Sequence, residues 1–246
     1  MNIVITGAGS GIGRSIAVTL AERGYSLVLL GRNLESLETT KSLLKNSHHC
    51  HVCDIRNAEE IRKALANVSS LYGLIANAGI GGENQYGDQD RWQEIIDTNL
   101  TGTYQTIQEC LPLIKKDSAP FKKIIIISSI LARLGVPGYS GYCASKAGLL
   151  GLTRSMAAEY SGDGILVNAL CPGWVDTDMA QEGLQGFADA LKVSKDEAYK
   201  EAMKPVPLGK MSKPEEVAQL VAYLMSEEQT SFTGQTLDIN NGALMP

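Results

Sequence analysis

The sequence predicts an α/β fold, a doubly wound parallel sheet of about seven strands with helices on both faces. Three observations lead there. Short aliphatic runs such as Asn2 to Thr6 and Lys123 to Ile127 are apolar at both alternating sets of positions, as strands buried on both faces are. Such runs alternate along the chain with stretches of helical periodicity. The first run breaks into Gly7-Ala8-Gly9-Ser10-Gly11-Ile12-Gly13 and then enters a helix, an order of strand, glycines and helix that suits a dinucleotide phosphate.

The totals agree with one such domain over residues 1–246. A hydrophobic content of 44% supplies a sizeable core, and the net charge of -5, with no basic tail or stripe, argues against a nucleic-acid partner. A negative surface also repels acidic membranes. The opening MNIVITGAGSGIG lacks the charged and apolar regions of a signal peptide, and no apolar run approaches the roughly 20 residues of a membrane span. Five scattered cysteines, an odd number, point to a reducing cytoplasm.

Taken in order, the strand Asn2–Thr6 is followed by a helix to about Arg23. The glycines let the backbone turn and approach a pyrophosphate, whose charge the amides of the helix start would meet. Strand two, Leu27 to Leu30, runs into Gly31-Arg32-Asn33. NAD sites usually present a carboxylate to the ribose here, whereas Arg32 supplies a guanidinium suited to a 2′-phosphate, so NADP(H) is favoured and NAD(H) remains open. Ser10, where some NADP proteins carry a basic residue, adds no support.

All three histidines of the chain fall in His48-His49-Cys50-His51-Val52-Cys53-Asp54. Metal binding and thiol chemistry compete there with a plain third strand, which would put Cys50, Val52 and Asp54 on one face and His51 and Cys53 on the other. The strand reading is preferred and no metal is assigned. Asn57 can cap a helix over 58–68, and Leu71 to Ala76 is strand four, turning at Asn77-Ala78-Gly79. The glycine-rich stretch 79–89 is a loop bordering a substrate. Asp90 to Lys116 reads as one long helix with Asn99 inside it, a residue that needs a partner at such a position.

Strand five ends at Ser128-Ser129, and a helix free of proline runs from Ser140 to Tyr160. On it Tyr142 and Lys146 are four residues apart and project from one face, with Ser129 thirteen residues before Tyr142 at a strand's carboxyl end, where open α/β sheets put their chemistry. A neighbouring ammonium favours the phenolate, so the pair is expected to pass a proton near neutral pH. Strand six, Ile165 to Leu170, leads into Cys171-Pro172-Gly173-Trp174-Val175-Asp176-Thr177. Beyond it, about 178–211 reads as two short helices on either side of Val193-Ser194, an amphipathic lid over a bulky or apolar substrate. Pro214 to Met225 is the last helix and Thr236 to Asn240 the last strand.

With TGAGSGIG, NAG, TNL, the Ser/YxxxK set and PG in this order, the chain resembles the short-chain dehydrogenase/reductase family over essentially its whole length. The resemblance implies a Rossmann-like fold, an oxidoreductase acting between NAD(P)H and a carbonyl or alcohol, and a catalytic set of Asn99, Ser129, Tyr142 and Lys146. It assigns the cofactor to Gly7, Ser10, Gly11, Ile12, Gly13, Arg32, Asp54, Ile55, Asn77, Ala78, Gly79, Tyr142, Lys146, Pro172, Gly173, Val175 and Thr177. Asp54 would accept from the adenine amino group, Asn99 would kink its helix and hold a relay water toward Lys146, and Val175 and Thr177 would hold the nicotinamide carboxamide. Lys146 would lower the Tyr142 pKa and grip the nicotinamide ribose. A homotetramer is implied, with the last strand and the two long helices after strands four and five as its interfaces.

Within the family the chain is most similar to 3-oxoacyl-thioester reductases and, through the lid, to polyketide ketoreductases, so the implied substrate is a 3-oxoacyl thioester or polyketide-like ketone, carried on CoA or acyl carrier protein. A basic residue often precedes strand six in the fatty-acid reductases. Here it is Asp163, with Lys122 and Lys123 left as nearby basic character. Oxidation of a cyclic or other small secondary alcohol, and a non-catalytic dinucleotide sensor, are the alternatives.

Overall fold

The computed structural model describes residues 1–45, 48–84 and 87–245. Strands β1 (Asn2–Thr6), β2 (Ser26–Gly31), β3 (His49–Val52), β4 (Gly73–Ala76), β5 (Lys122–Ile127), β6 (Ile165–Pro172) and β7 (Thr236–Ile239) form one sheet in the order β3-β2-β1-β4-β5-β6-β7, every neighbouring pair parallel. Chain order reverses between β1 and β4, which opens a crevice at their carboxyl ends.

Each central strand feeds two core layers, because successive side chains point to opposite faces. Val4, Val28, Leu30, Ile124 and Ile126 pack on one side with Ile61 of helix α3 (Ala58–Leu65), Ile107 of α5 (Gly102–Lys115) and Leu149 of α6 (Ser140–Tyr160). Ile3, Ile5, Leu27, Leu29, Ile125 and Ile127 pack on the other with Ile16 of α1 (Gly11–Glu22), Leu37 of α2 (Leu34–Ser42) and Val217 of α9 (Pro214–Leu224). Each fully buried aliphatic side chain contributes about 1.5–3 kcal/mol, so burial on both faces of the sheet is a large part of what holds it. Helices α7 (Asp178–Leu191) and α8 (Lys195–Met203) have a small core of their own around Leu184, Ala188, Ala198 and Met203.

The continuous helix expected over 90–116 is broken. Short helix α4 (Trp92–Ile96) passes into a π-helical turn, Asp97–Thr101, before α5. Asn99 lies in that turn, 0% exposed, and π-turns widen a helix where a side chain is held from outside it. Strand β3 ends at Val52, so Asp54 stands past the strand and not on its face with Cys50. Cys50 and Cys53 do part to opposite layers, and His48 serves the backbone: Nδ1 accepts from Leu27 N at 3.1 Å and Nε2 meets the Lys45 carbonyl at 2.7 Å. Helix α3 stops at Leu65 and β4 starts at Gly73, each shorter than expected. The loop expected over 79–89 includes Gln85 and Tyr86, which lie outside the described residues. Among the described residues no helix is long and apolar enough to cross a membrane.

Candidate active site

The glycine turn is built as tightly as its composition implies. Gly7 (φ +63°) and Gly11 (φ +49°) occupy left-handed conformations, and a Cβ on Gly13 would fall 2.1 Å from the Gly7 carbonyl oxygen. Helix α1 begins at Gly11 with Ser10 as an extended N-cap that makes no side-chain cap, and its first turn carries no acidic residue. Its first amides and its dipole therefore face the crevice without an internal anion. Ile12 is half-buried against the core layer behind the turn.

Across the switch point, the turn after β4 is fastened to the turn after β1. Asn77 Nδ2 donates to the Thr6 and Gly7 carbonyls at 3.0 and 3.2 Å, while the Thr6 hydroxyl accepts from both the Asn77 and Ala78 amides at 3.0 Å. Thr6 went unread in the sequence, where it passes for an ordinary strand residue. Its only signal is a hydroxyl closing a strand that runs into the glycines.

Asn99 reaches the same loop from the π-turn. Its Oδ1 accepts from Ile80 N at 2.8 Å and its Nδ2 donates to Ile80 O at 2.9 Å and to Ser145 Oγ at 3.2 Å. The amide is a two-point clasp, and its own carbonyl accepts the Thr103 hydroxyl at 2.8 Å. Gly79 fits beneath: a Cβ there would sit 3.1 Å from Asn99 Oδ1 and 3.4 Å from Lys146 Nζ.

Ser129, Tyr142 and Lys146 meet beside this clasp. The Ser129 hydroxyl accepts from Leu131 N at 3.1 Å and acts on the neighbouring Tyr142 phenol to lower its pKa. Lys146, buried, donates from Nζ to the Ile127 carbonyl at 3.0 Å and lies 5.6 Å from the Tyr142 ring centroid. The Ser128 hydroxyl donates to Lys146 O at 2.9 Å, pinning the helix to the strand end. The expected depression of the Tyr142 pKa is reversed. Burial pushes the phenol up to about 12, opposed by the Ser129 hydroxyl, and burial pulls Lys146 down to about 8. The reason is desolvation: in this crevice both groups favour their neutral forms, and the ammonium faces the ring and a carbonyl.

The loop after β6 brings its residues to the glycine turn. Gly173 packs on Asn240, where a Cβ would lie 3.0 Å from the Asn240 Cα, and Pro172 ends β6. Val175 is buried and bridges to Ser212. Thr177 approaches Gly11, its Cγ2 3.1 Å from where a Gly11 Cβ would stand. Its hydroxyl is engaged in capping α7, accepting from Ala180 N at 3.3 Å, and donates to Val175 O at 3.2 Å.

At the far end Arg32 is exposed just past β2. Asp54 is gripped by Arg56, whose Nη2 is 2.6 Å from Oδ2, and this hydrogen-bonded pairing lowers the Asp54 pKa. Its carboxylate is thus shared with a guanidinium before any other donor arrives. Ile55 is buried on α5, 2.9 Å from the position of a Gly102 Cβ. Lys122 and Lys123 do not form a basic surface: they are 7% and 1% exposed, with Lys122 Nζ donating to Asp163 O at 2.8 Å and Lys123 Nζ to the Gln229 carbonyl. Strand five carries them inward because it is paired on both edges, with β4 and β6, and helices cover both faces of the sheet.

Fold and site together define a Rossmann-like α/β protein in which a hydroxyl, a phenol and an amine converge near a glycine-rich turn at the carboxyl edge of the sheet. A family model described as enoyl-(acyl carrier protein) reductase matches residues 7–243, and the chain belongs to the short-chain dehydrogenase/reductase family. It is similar to the 3-oxoacyl-(acyl-carrier-protein) reductase FabG of Rickettsia prowazekii, 38% identical over 245 residues that cover 98% of this chain and 96% of that protein. Among solved structures it is similar to an actinorhodin polyketide ketoreductase variant with NADPH (TM-score 0.92, 33% identity, 98% and 96% of the two chains). Levodione reductase follows at TM-score 0.90 and 26% identity over 98% and 96%.

Proposed function

We propose that this chain is an NADP(H)-dependent reductase of a ketone, a 3-oxoacyl thioester or polyketide-like compound. The observation that carries the reading is the convergence of Ser129, Tyr142 and Lys146 beside a glycine turn whose helix start is uncapped. Residues of this chain fit a dinucleotide: the turn holds Gly7 and Gly11 in left-handed conformations at an uncapped helix start, and Thr177 reaches Gly11 from the opposite loop. The α1 amides would hold the pyrophosphate and Arg32 the 2′-phosphate. Lys146 and Asn77 would face the nicotinamide ribose, Val175 and Thr177 the carboxamide, and Ala78, Asp54 and Ile55 the adenosine side. NADPH supplies the hydride when bound.

The protein's part is to place and protonate. Tyr142, kept protonated by burial, donates its proton to the ketone oxygen. Ser129 donates a hydrogen bond to that oxygen as negative charge builds on it, the kind of term that dominates in many enzymes. Lys146 places a positive charge beside the phenol as its proton leaves. Asn99 acts on the scaffold, clasping Ile80 so that the loop after β4 stays against the Tyr142 helix.

Helices α7 and α8 serve as a lid, with Met179 reaching 3.3 Å from the position of a Gly81 Cβ across the cleft. Similarity to FabG and to the ketoreductase supports an acyl thioester. Asp163 ties up the cations near strand β6, its carboxylate 2.7 Å from Lys115 Nζ, so a carrier protein would have to dock elsewhere. An apolar groove of Leu100, Tyr104, Gly148, Gly151 and Leu152 along α5 and α6 supports assembly into a homotetramer, and five free thiols support a cytoplasmic setting. The deciding experiment measures NADPH consumption against ketones, acyl-CoA and acyl-carrier thioesters, with Tyr142→Phe beside the wild type. Turnover lost about 10²–10⁴-fold with NADPH binding retained is expected for a lost proton donor. A variant with a near-normal rate would remove the assignment, and a wild type inert on the whole panel would favour a dinucleotide sensor.

A further inference from the structure

Helix α6 starts two residues before Tyr142, and its N-cap, Tyr139, supplies no side-chain acceptor. The acceptor comes from Asn84, 57 residues earlier in the chain: its Oδ1 accepts from Gly141 N at 2.8 Å and from Ser140 Oγ at 3.3 Å. On its other side Asn84 Nδ2 donates to Asp90 Oδ1 at 2.9 Å, and the same oxygen accepts from Trp92 N at 3.0 Å, at the start of α4. The backbone amide of Asn84 donates to Gly138 O at 2.6 Å. The side chain is 6% exposed, and the space is closed: a Cβ on Gly141 would lie 3.2 Å from Asn84 Oδ1 and 3.5 Å from the Trp92 ring.

We propose that Asn84 is a positioning residue for Tyr142, capping the Tyr142 helix from the loop after β4 and, through Asp90, locking it to the start of α4. The proposal rests on Tyr142 as the proton donor. Helical side chains lean toward the N-terminus, so a first turn that frays or tilts carries the phenol with it. A displacement of about 1 Å from a reacting centre costs about a hundredfold in rate. Only an amide suits the position, because one end must accept from Gly141 and the other must donate to a carboxylate. A carboxylate at 84 would keep the first bond and set like charges against each other at the second.

The test compares kcat, KM, NADPH dissociation constant and melting curve for wild type, N84A, N84D and N84D/D90N, with Tyr142→Phe in parallel. N84A and N84D are expected to lower kcat about ten- to a hundredfold, leaving NADPH affinity within about twofold. N84D/D90N, which exchanges the donor and acceptor between the two positions, is expected to recover kcat to within about threefold of wild type. Folded N84A and N84D proteins with wild-type kcat, while Tyr142→Phe is inactive, would overturn this proposal alone. A double exchange no better than N84D would overturn it too, and that comparison decides if N84A does not fold. A fully active Tyr142→Phe would remove the Tyr142 assignment and this proposal with it.

Discussion

Lys146 Nζ stands 5.6 Å from the centroid of the Tyr142 ring and donates to the Ile127 carbonyl, so its charge lies beside the phenol's face and is anchored to the end of strand β5. Burial, and not this cation, keeps the phenol protonated at neutral pH. A phenolate would need that ammonium to overcome the burial of both groups, and desolvation dominates for each.

The pH dependence follows from these directions. With Tyr142 raised to about 12 and Lys146 lowered to about 8, the donor stays protonated across the working range while the cation beside it is lost first. Ketone reduction is therefore expected to be flat below about pH 8 and to fall above it, as Lys146 gives up its proton. A kcat profile measured with NADPH saturating that shows no break near there would mean that Lys146 does not titrate as part of the site.

Arg32→Glu should weaken NADPH by about tenfold or more and leave NADH nearly unchanged, because a guanidinium paired with a 2′-phosphate is replaced by a like charge. Dissociation constants for the two cofactors decide it. Equal losses would mean that Arg32 does not read the phosphate.

Gly13→Ala tests the cradle. The added methyl would start 2.1 Å from the Gly7 carbonyl oxygen and 2.6 Å from Asn77 Nδ2, so the two turns must part. A cost of about 1–3 kcal/mol in unfolding free energy is expected from such overpacking, with NADPH affinity falling alongside. Denaturation and cofactor titration that match the wild type would contradict the geometry.

Lys123 offers a test away from the site. Burial lowers its pKa to about 8 in the folded protein, while in the unfolded chain it returns to 10.5. Between those values the unfolded state binds the extra proton, so this group's contribution makes stability rise with pH there; below 8 its full penalty is present. Lys123→Met is therefore expected to be more stable than wild type at pH 7, with an advantage that shrinks by up to about 3 kcal/mol between pH 8 and 10.5. Urea unfolding of both proteins across that window measures it, and a constant difference would exclude a buried, titrating lysine.

Much of the architecture was legible because its signals are local. Runs such as Lys123 to Ile127 are apolar on both faces, and the Gly7 to Gly13 turn has one economical use after a strand. The break at Asp97–Thr101 was legible only through the family resemblance, which implied a kink at Asn99, since residues 90–116 keep helical spacing throughout. What interrupts the helix is Asn99 clasping Ile80, a partner supplied from nineteen positions away. The basic character expected at Lys122 and Lys123 failed for the converse reason: a charged side chain reads as exposed until the helices that cover it are in place.

The order of strands and glycines, the four-residue spacing of Tyr142 and Lys146, and the cation after β2 were determined by the sequence alone, because backbone periodicity and short-range sterics depend only on neighbours in the chain. The protonation tendencies of that pair, the capture of Asp54 by Arg56, and the capping of the Tyr142 helix by Asn84 were decided only by tertiary structure. Desolvation and hydrogen bonding depend on what surrounds a group in space, and here the surroundings come from segments that folding brings together.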